Sequence, residues 1–169
     1  MRIVKPGILA IVCASLLAGC GFQLRGTADL PFKTIYIPPA NQPGVALGLR
    51  RNVQAGTRTT VVDDPKNAEA VIEFTQESRN KVILSLTGGG KVSEFELQYS
   101  VSFRVHDNKG GDFVPSNTVL LKRAVTFSDT DILAKEIEDQ QIYRSMEFDM
   151  VQQILRRLEA AQRPKPEAR

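Results

Sequence analysis

The stretch Glu94-Phe95-Glu96-Leu97-Gln98-Tyr99-Ser100-Val101-Ser102-Phe103-Arg104-Val105 decides the fold. Phe95, Leu97, Tyr99, Val101, Phe103 and Val105 alternate with Glu94, Glu96, Gln98, Ser100, Ser102 and Arg104. A period of two sends successive side chains to opposite faces, so one face is buried and the other is wet. Such alternation belongs to an antiparallel sheet covered on one side. Gly88-Gly89-Gly90 forms a flexible turn before this strand, and Asp107 to Asp112 (DNKGGD) forms a second turn after it. Upstream, Ala70, Ile72 and Phe74 alternate with Val71, Glu73 and Thr75, and the same parity resumes at Val82, Leu84 and Leu86. That pattern is one long bent strand, or two strands joined by a bulge. Downstream, Val119, Leu121, Val125 and Phe127 carry the parity of the next strand, with Arg123 the exception. Consecutive strands with tight turns imply an antiparallel meander.

Working outward, Lys33 to Ile37 (KTIYI) reads as a short first strand, which Pro38-Pro39 end. Val45, Leu49 and Val53 recur every four residues and give a short helix one apolar face, with Gly56 as its stop. Thr57 to Val62 is a further strand, turned by Asp63-Asp64-Pro65. From Asp131 to about Ala161 the period becomes helical. Tyr143, Met146, Met150, Ile154 and Leu158 form one stripe, with Val151 and Leu155 beside it. The expected fold is α+β: a mostly antiparallel sheet of about four strands with two helices packed on one face.

The start of the chain has a different character. Arg2 and Lys5 precede the apolar run Gly7 to Leu17, and small residues then lead to Cys20. This is the layout of a secretory signal peptide. The run is about 11 residues, where a membrane-spanning helix needs about 20. Leu17-Ala18-Gly19-Cys20 is similar to the bacterial lipobox. That resemblance implies diacylglycerol on the Cys20 sulfur, cleavage before Cys20, and acylation of the new amine. Gly21 stands where an Asp would signal retention in the inner membrane, which implies the outer membrane. Several acyl chains on one residue make a stable anchor, which a single chain does not. The expected organisation is a leader over residues 1–19, one domain with its lipid tether over 20–162, and a disordered tail over 163–169.

Charge and chemistry narrow the function. Arg2 and Lys5 leave with the leader, which brings the formal net charge from +3 to about +1 and gives no reason to expect nucleic acid as a partner. Cys13 leaves as well and Cys20 is acylated, so no free thiol remains. The single histidine, His106, stands at a strand end, and no G-x-S-x-G elbow occurs. No catalytic residue, metal site or cofactor is expected. Asp129 and Asp131 are not read as paired catalytic carboxylates; one of them reads as the cap of the long helix. Gly88-Gly89-Gly90-Lys91 lacks the spacing of a phosphate loop and sits between strands. Lys135 falls near the start of the long helix, where a cation opposes the helix dipole but adds to its attraction for anions. The alternative is a surface lysine neutralised by Glu136, Glu138 and Asp139. Lys91 is a second exposed cation, most simply a solvated edge charge.

Cys20-Gly21-Phe22-Gln23-Leu24-Arg25-Gly26 resembles the start of mature LptE-family proteins. The likeness extends over Ser93-Glu94-Phe95-Glu96-Leu97, Leu133-Ala134-Lys135 and Ile154-Leu155-Arg156-Arg157-Leu158. It implies an outer-membrane lipoprotein that plugs the LptD β-barrel, helps it assemble, and binds lipopolysaccharide for insertion into the outer leaflet. It implies no enzymatic activity. In that family basic residues near the central turn and near the start of the last helix touch the lipid. Lys135 matches the second position. The family's arginine is absent at the first, where Lys91 is the displaced candidate. The rival is a free lipid-binding carrier lipoprotein. It would need a large apolar cavity, whereas the strands alternate as for one filled core.

Overall fold

The structure, a computed structural model, describes residues 29–40, 44–128 and 132–164. Its strands are β1 (Thr34–Tyr36), β2 (Thr60–Val62), β3 (Ala70–Leu86), β4 (Val92–His106) and β5 (Asp112–Thr126). Its helices are α1 (Val45–Gly56) and α2 (Ile132–Glu159). The fold is α+β with one open sheet in the order β2-β1-β3-β4-β5. The meander β3–β4–β5 is antiparallel, as its alternation requires. The sheet has five strands rather than about four, because β1 and β2 add a parallel flank of short strands beside β3. Parallel neighbours need a crossover, and α1 supplies it between β1 and β2.

Both helices cover the same face. Val45, Leu49 and Val53 of α1 pack into one core with Met146, Met150, Val151, Ile154, Leu155 and Leu158 of α2. Beneath them lie Leu97, Tyr99, Val101, Phe103 and Val105, the inward half of the alternation that defines β4. The helices approach closely at Gly48, where a Cβ would stand 2.9 Å from a Val151 methyl carbon. Glycine there is a packing requirement.

β3 is one long strand, and its parity does not resume as the sequence suggests. Phe74 pairs with Phe103 and Gln76 with Ser102, which leaves Thr75 as an extra residue. The Thr75 hydroxyl donates to the Ser102 carbonyl at 3.2 Å. This bulge exchanges the faces of the strand. Beyond it Glu77, Arg79, Lys81 and Ile83 stand opposite Val101, Tyr99, Leu97 and Phe95, on the helix side. Val82 moves to the open face opposite Glu96. Val82, Ile83, Leu84 and Leu86 are all exposed. At about 3.3 Å per residue, the 17 residues of β3 reach roughly 55 Å. The β3–β4 hairpin therefore runs well past the part of the sheet that the core covers.

Candidate functional site

The far end of the hairpin brings basic, aromatic and apolar side chains together. The turn closes through Thr87 N–H to the Lys91 carbonyl at 2.7 Å and Gly90 N–H to the Thr87 carbonyl at 2.9 Å. Gly90 has φ 77°, a left-handed conformation that glycine adopts without strain. Lys91 is exposed, and its backbone N–H donates to the Thr87 hydroxyl at 3.2 Å.

Lys135 lies in the first turn of α2 and belongs to the same pole. Its ammonium pairs with Glu138 at 2.8 Å and lies 3.5 Å from the Thr126 hydroxyl. Thr126 pairs in register with Glu94, three residues from Lys91. The neutralising partner anticipated for Lys135 is thus Glu138. Ile132, Leu133 and Ile137 are exposed around Lys135, Leu133 at 71%, and Ile83 and Leu86 are exposed beyond the bulge at 58% and 57%. An end with this much bare apolar surface beside ammonium groups is amphipathic. Exposed apolar patches rimmed by polar groups mark interaction sites.

Lys81 is the site residue that the sequence pattern did not single out. The bulge at Thr75 turns it under α2, where it pairs with Asp139 at 2.5 Å. Its ammonium lies 4.4 Å from the Phe95 ring centroid and 6.0 Å from that of Phe127, and these two rings meet edge to face at 5.2 Å. Asp139 is one helical turn beyond Lys135, which places Lys81 and Lys135 along the same stretch of α2. Deeper in, Arg79 pairs with Glu147 at 3.0 Å and lies 4.9 Å from the Tyr99 ring centroid. The Tyr99 hydroxyl donates to Glu77. Burial raises the Tyr99 phenol well above its ordinary range, and Glu77 adds to the effect.

The open face of the sheet carries the polar half of the alternation. Ser78 and Ser100 share a hydrogen bond at 2.8 Å, as do Ser102 and Thr118. Gln98 donates to Glu96 at 2.7 Å, and Lys122 pairs with Glu96 at 3.0 Å. At the other end Arg104 pairs with Glu73 at 2.7 Å. Arg104, with His106 secondary, holds the Glu73 carboxyl below the usual range. His106 Nδ1 accepts from Asn108 N–H at 3.2 Å, so this histidine serves the β4–β5 turn. Its Nε2 lies 3.3 Å from Glu73.

Cys20, Asp129 and Asp131 lie outside the described residues. Arg163 donates to the Pro31 carbonyl at 2.8 Å, and Pro164 lies against Gly111. Among the described residues no helix is long and apolar enough to cross a membrane.

A single open sheet with both helices on one face, drawn out into an amphipathic pole, defines a small open-faced α+β domain. Similar solved structures agree: lipoprotein B from Nitrosomonas europaea is 37% identical with a TM-score of 0.70, over 83% of this chain and 91% of that one. The rare lipoprotein B from Shewanella oneidensis, 20% identical with a TM-score of 0.65 over 75% of this chain and 94% of that one, shares the fold. The chain belongs to the LptE family, described as lipopolysaccharide-assembly, whose model matches residues 32–158. Relatives named LPS-assembly lipoprotein LptE include that of Yersinia enterocolitica, 28% identical over 83% of this chain and 69% of the relative. That of Photorhabdus laumondii is 27% identical over 83% and 78%.

Proposed function

We propose that this chain is a non-catalytic lipopolysaccharide-assembly lipoprotein of the outer membrane, anchored through Cys20 and seated inside the LptD β-barrel. Its far pole meets the phosphorylated head of lipopolysaccharide. The amphipathic pole carries this reading. Lys91 and Lys135 supply point charges for lipid phosphates, and Leu86, Ile132 and Leu133 supply apolar contact. Membership of the family supports it. The polar open face suits the polar interior of a transmembrane barrel. Its serine, glutamine and glutamate side chains already bond to one another and can exchange those bonds for a barrel wall at little cost.

The test is purification of the tagged chain from detergent-solubilised envelopes. A β-barrel of much larger mass should copurify in one-to-one ratio, and Lys135→Glu together with Lys91→Glu should lower capture of lipopolysaccharide without releasing the barrel. A lone chain carrying bound lipid would instead support the carrier reading and overturn the plug.

A further inference from the structure

We propose that the outer edge of β5, together with the groove between β5 and α2, is a docking site for an extended acidic segment of a partner polypeptide, which joins the sheet as a sixth, antiparallel strand. β5 ends the sheet order and is 15 residues long. Edge strands are normally protected by bulges, proline or charge; in β5 the register shifts and Pro115 fall before Asn117, so the regular stretch of edge runs from Asn117 to Thr126. The direction of its outward groups follows from register. Phe127 N–H donates to the Ser93 carbonyl, and Glu94 pairs with Thr126. In an antiparallel ladder such bonding residues alternate. The amides and carbonyls of Thr118, Leu120, Lys122, Ala124 and Thr126 therefore point away from β4. The Lys122 carbonyl shows that outward aim, because the guanidinium of Arg123 reaches round to donate to it at 3.1 Å.

A groove runs along this edge. One cavity of about 380 Å3 lies between Leu121 and Arg123 of β5 and Phe148 and Arg156 of α2. A second of about 400 Å3 continues it past Val114, Asn117, Arg157 and Ala161. Phe148 is 61% exposed on the groove wall and Leu120 is 50% exposed on the other side of the edge. An added strand would lay alternate side chains against α2, and the rest would extend the open face beside Leu120. Charge selects the occupant. Arg123, Arg156 and Arg157 line the groove and Lys122 flanks it; two acids meet these four cations, Asp149 engaged by Arg123 at 2.9 Å and Glu96 engaged by Lys122 at 3.0 Å, which leaves a positive excess. A second copy would bring the same cations edge to edge, which costs free energy rather than releasing it. An acidic strand with apolar residues at alternate positions complements the site. The site stands whether or not the chain plugs a barrel.

The probe is an N-acetylated nine-residue peptide amide of alternating Glu and Val, added to the full-length chain in mild detergent. Hydrogen exchange at Thr118, Leu120, Lys122 and Ala124 should slow by about tenfold or more at saturation, with little change at the β4-paired amides between them. Ala124→Pro removes an outward N–H at an edge, where proline is tolerated, and should weaken binding by about tenfold. Arg123→Glu with Arg156→Glu should reverse the preference toward a Lys–Val peptide, which holds the proposal to account even if the proline variant misfolds. Equal binding of the Glu–Val and Lys–Val peptides by the native chain, or no slowing at the outward amides, overturns it. So does protection that appears without peptide and grows with protein concentration, because that marks pairing between copies.

Discussion

Tyr99 sits fully buried at the centre of β4, with its hydroxyl donated to Glu77 and Arg79 stacked on its ring. Burial first, then Glu77, raises its phenol above the ordinary range. Tyr143, over the same arginine, is raised too, by burial and then by Asp139. A raised folded value means that the unfolded chain ionises first as pH climbs. The stabilisation is complete below about pH 10 and is lost above it. Denaturant unfolding should therefore show stability falling by roughly 1 kcal/mol or more between about pH 9 and about pH 11. Tyr99→Phe should flatten that fall, and an unchanged slope in the variant would show that Tyr99 does not carry it. Glu73 works in the opposite sense. Its carboxyl is lowered chiefly by Arg104, so its contribution is present above the ordinary carboxylate range and fades as pH drops below about 4.5. Because Glu73 and Arg104 are both 44% exposed, that contribution is small.

Helix α2 is held in two ways along its length. From Met146 to Leu158 an apolar stripe packs on the sheet and on α1. Toward its start the stripe gives way to Lys81–Asp139, Arg79–Glu147 and the Tyr143 hydroxyl donated to the Asn80 carbonyl at 2.8 Å. Asp139 is 13% exposed, so its pair with Lys81 is screened less than a surface pair. A double-mutant cycle on Lys81→Ala and Asp139→Ala should give a coupling of about 1 kcal/mol, with faster exchange confined to the first turns of α2. A coupling near zero would mean that the hairpin does not hold the helix start. The second half rests on close packing, and Gly48→Ala tests it. Alanine favours a helix by about 1 kcal/mol over glycine, but its Cβ meets the Val151 methyl, and overpacking costs about 1–3 kcal/mol. Net destabilisation is expected, relieved by Val151→Ala in the same chain, as read by thermal unfolding. The apolar half was legible in the sequence, since Tyr143 to Leu158 and Val45 to Val53 repeat with helical period. The charged half was not. Thr75 carries no glycine or proline to announce a bulge, and without the face exchange Lys81 reads as a residue of the open side. Lys91 and Lys135 could be named from turn and helix position. Lys81 could be found only once Phe74, Gln76 and their partners fixed the register.

On the scale of the whole molecule, the two ends of the sheet do different things. Asp29, the first described residue, lies 3.7 Å from Arg58, beside the start of β2. β1 pairs with β2 and with the beginning of β3, so the chain enters at the near end of the sheet. The turn from Thr87 to Lys91 lies at the far end, roughly 55 Å away along β3. Only the short run from Cys20 to Asp29 separates the proposed anchor from the domain, and a chain of that length spans at most about 30 Å. An acyl anchor in the periplasmic leaflet therefore keeps the near end close to that leaflet. A body seated in a barrel would then carry the hairpin across the hydrocarbon core, which is about 30 Å thick, toward the outer leaflet. Cysteine substitution separates this arrangement from a free carrier. Gly89 has ordinary backbone and an open position, with its nearest neighbour at 3.9 Å, so Gly89→Cys should fold unchanged. In intact cells a membrane-impermeant maleimide should label Gly89→Cys and spare Asp64→Cys at the opposite end, and permeabilisation should expose both. If neither site labels until the outer membrane is opened, the hairpin hangs in the periplasm and the carrier takes the place of the plug.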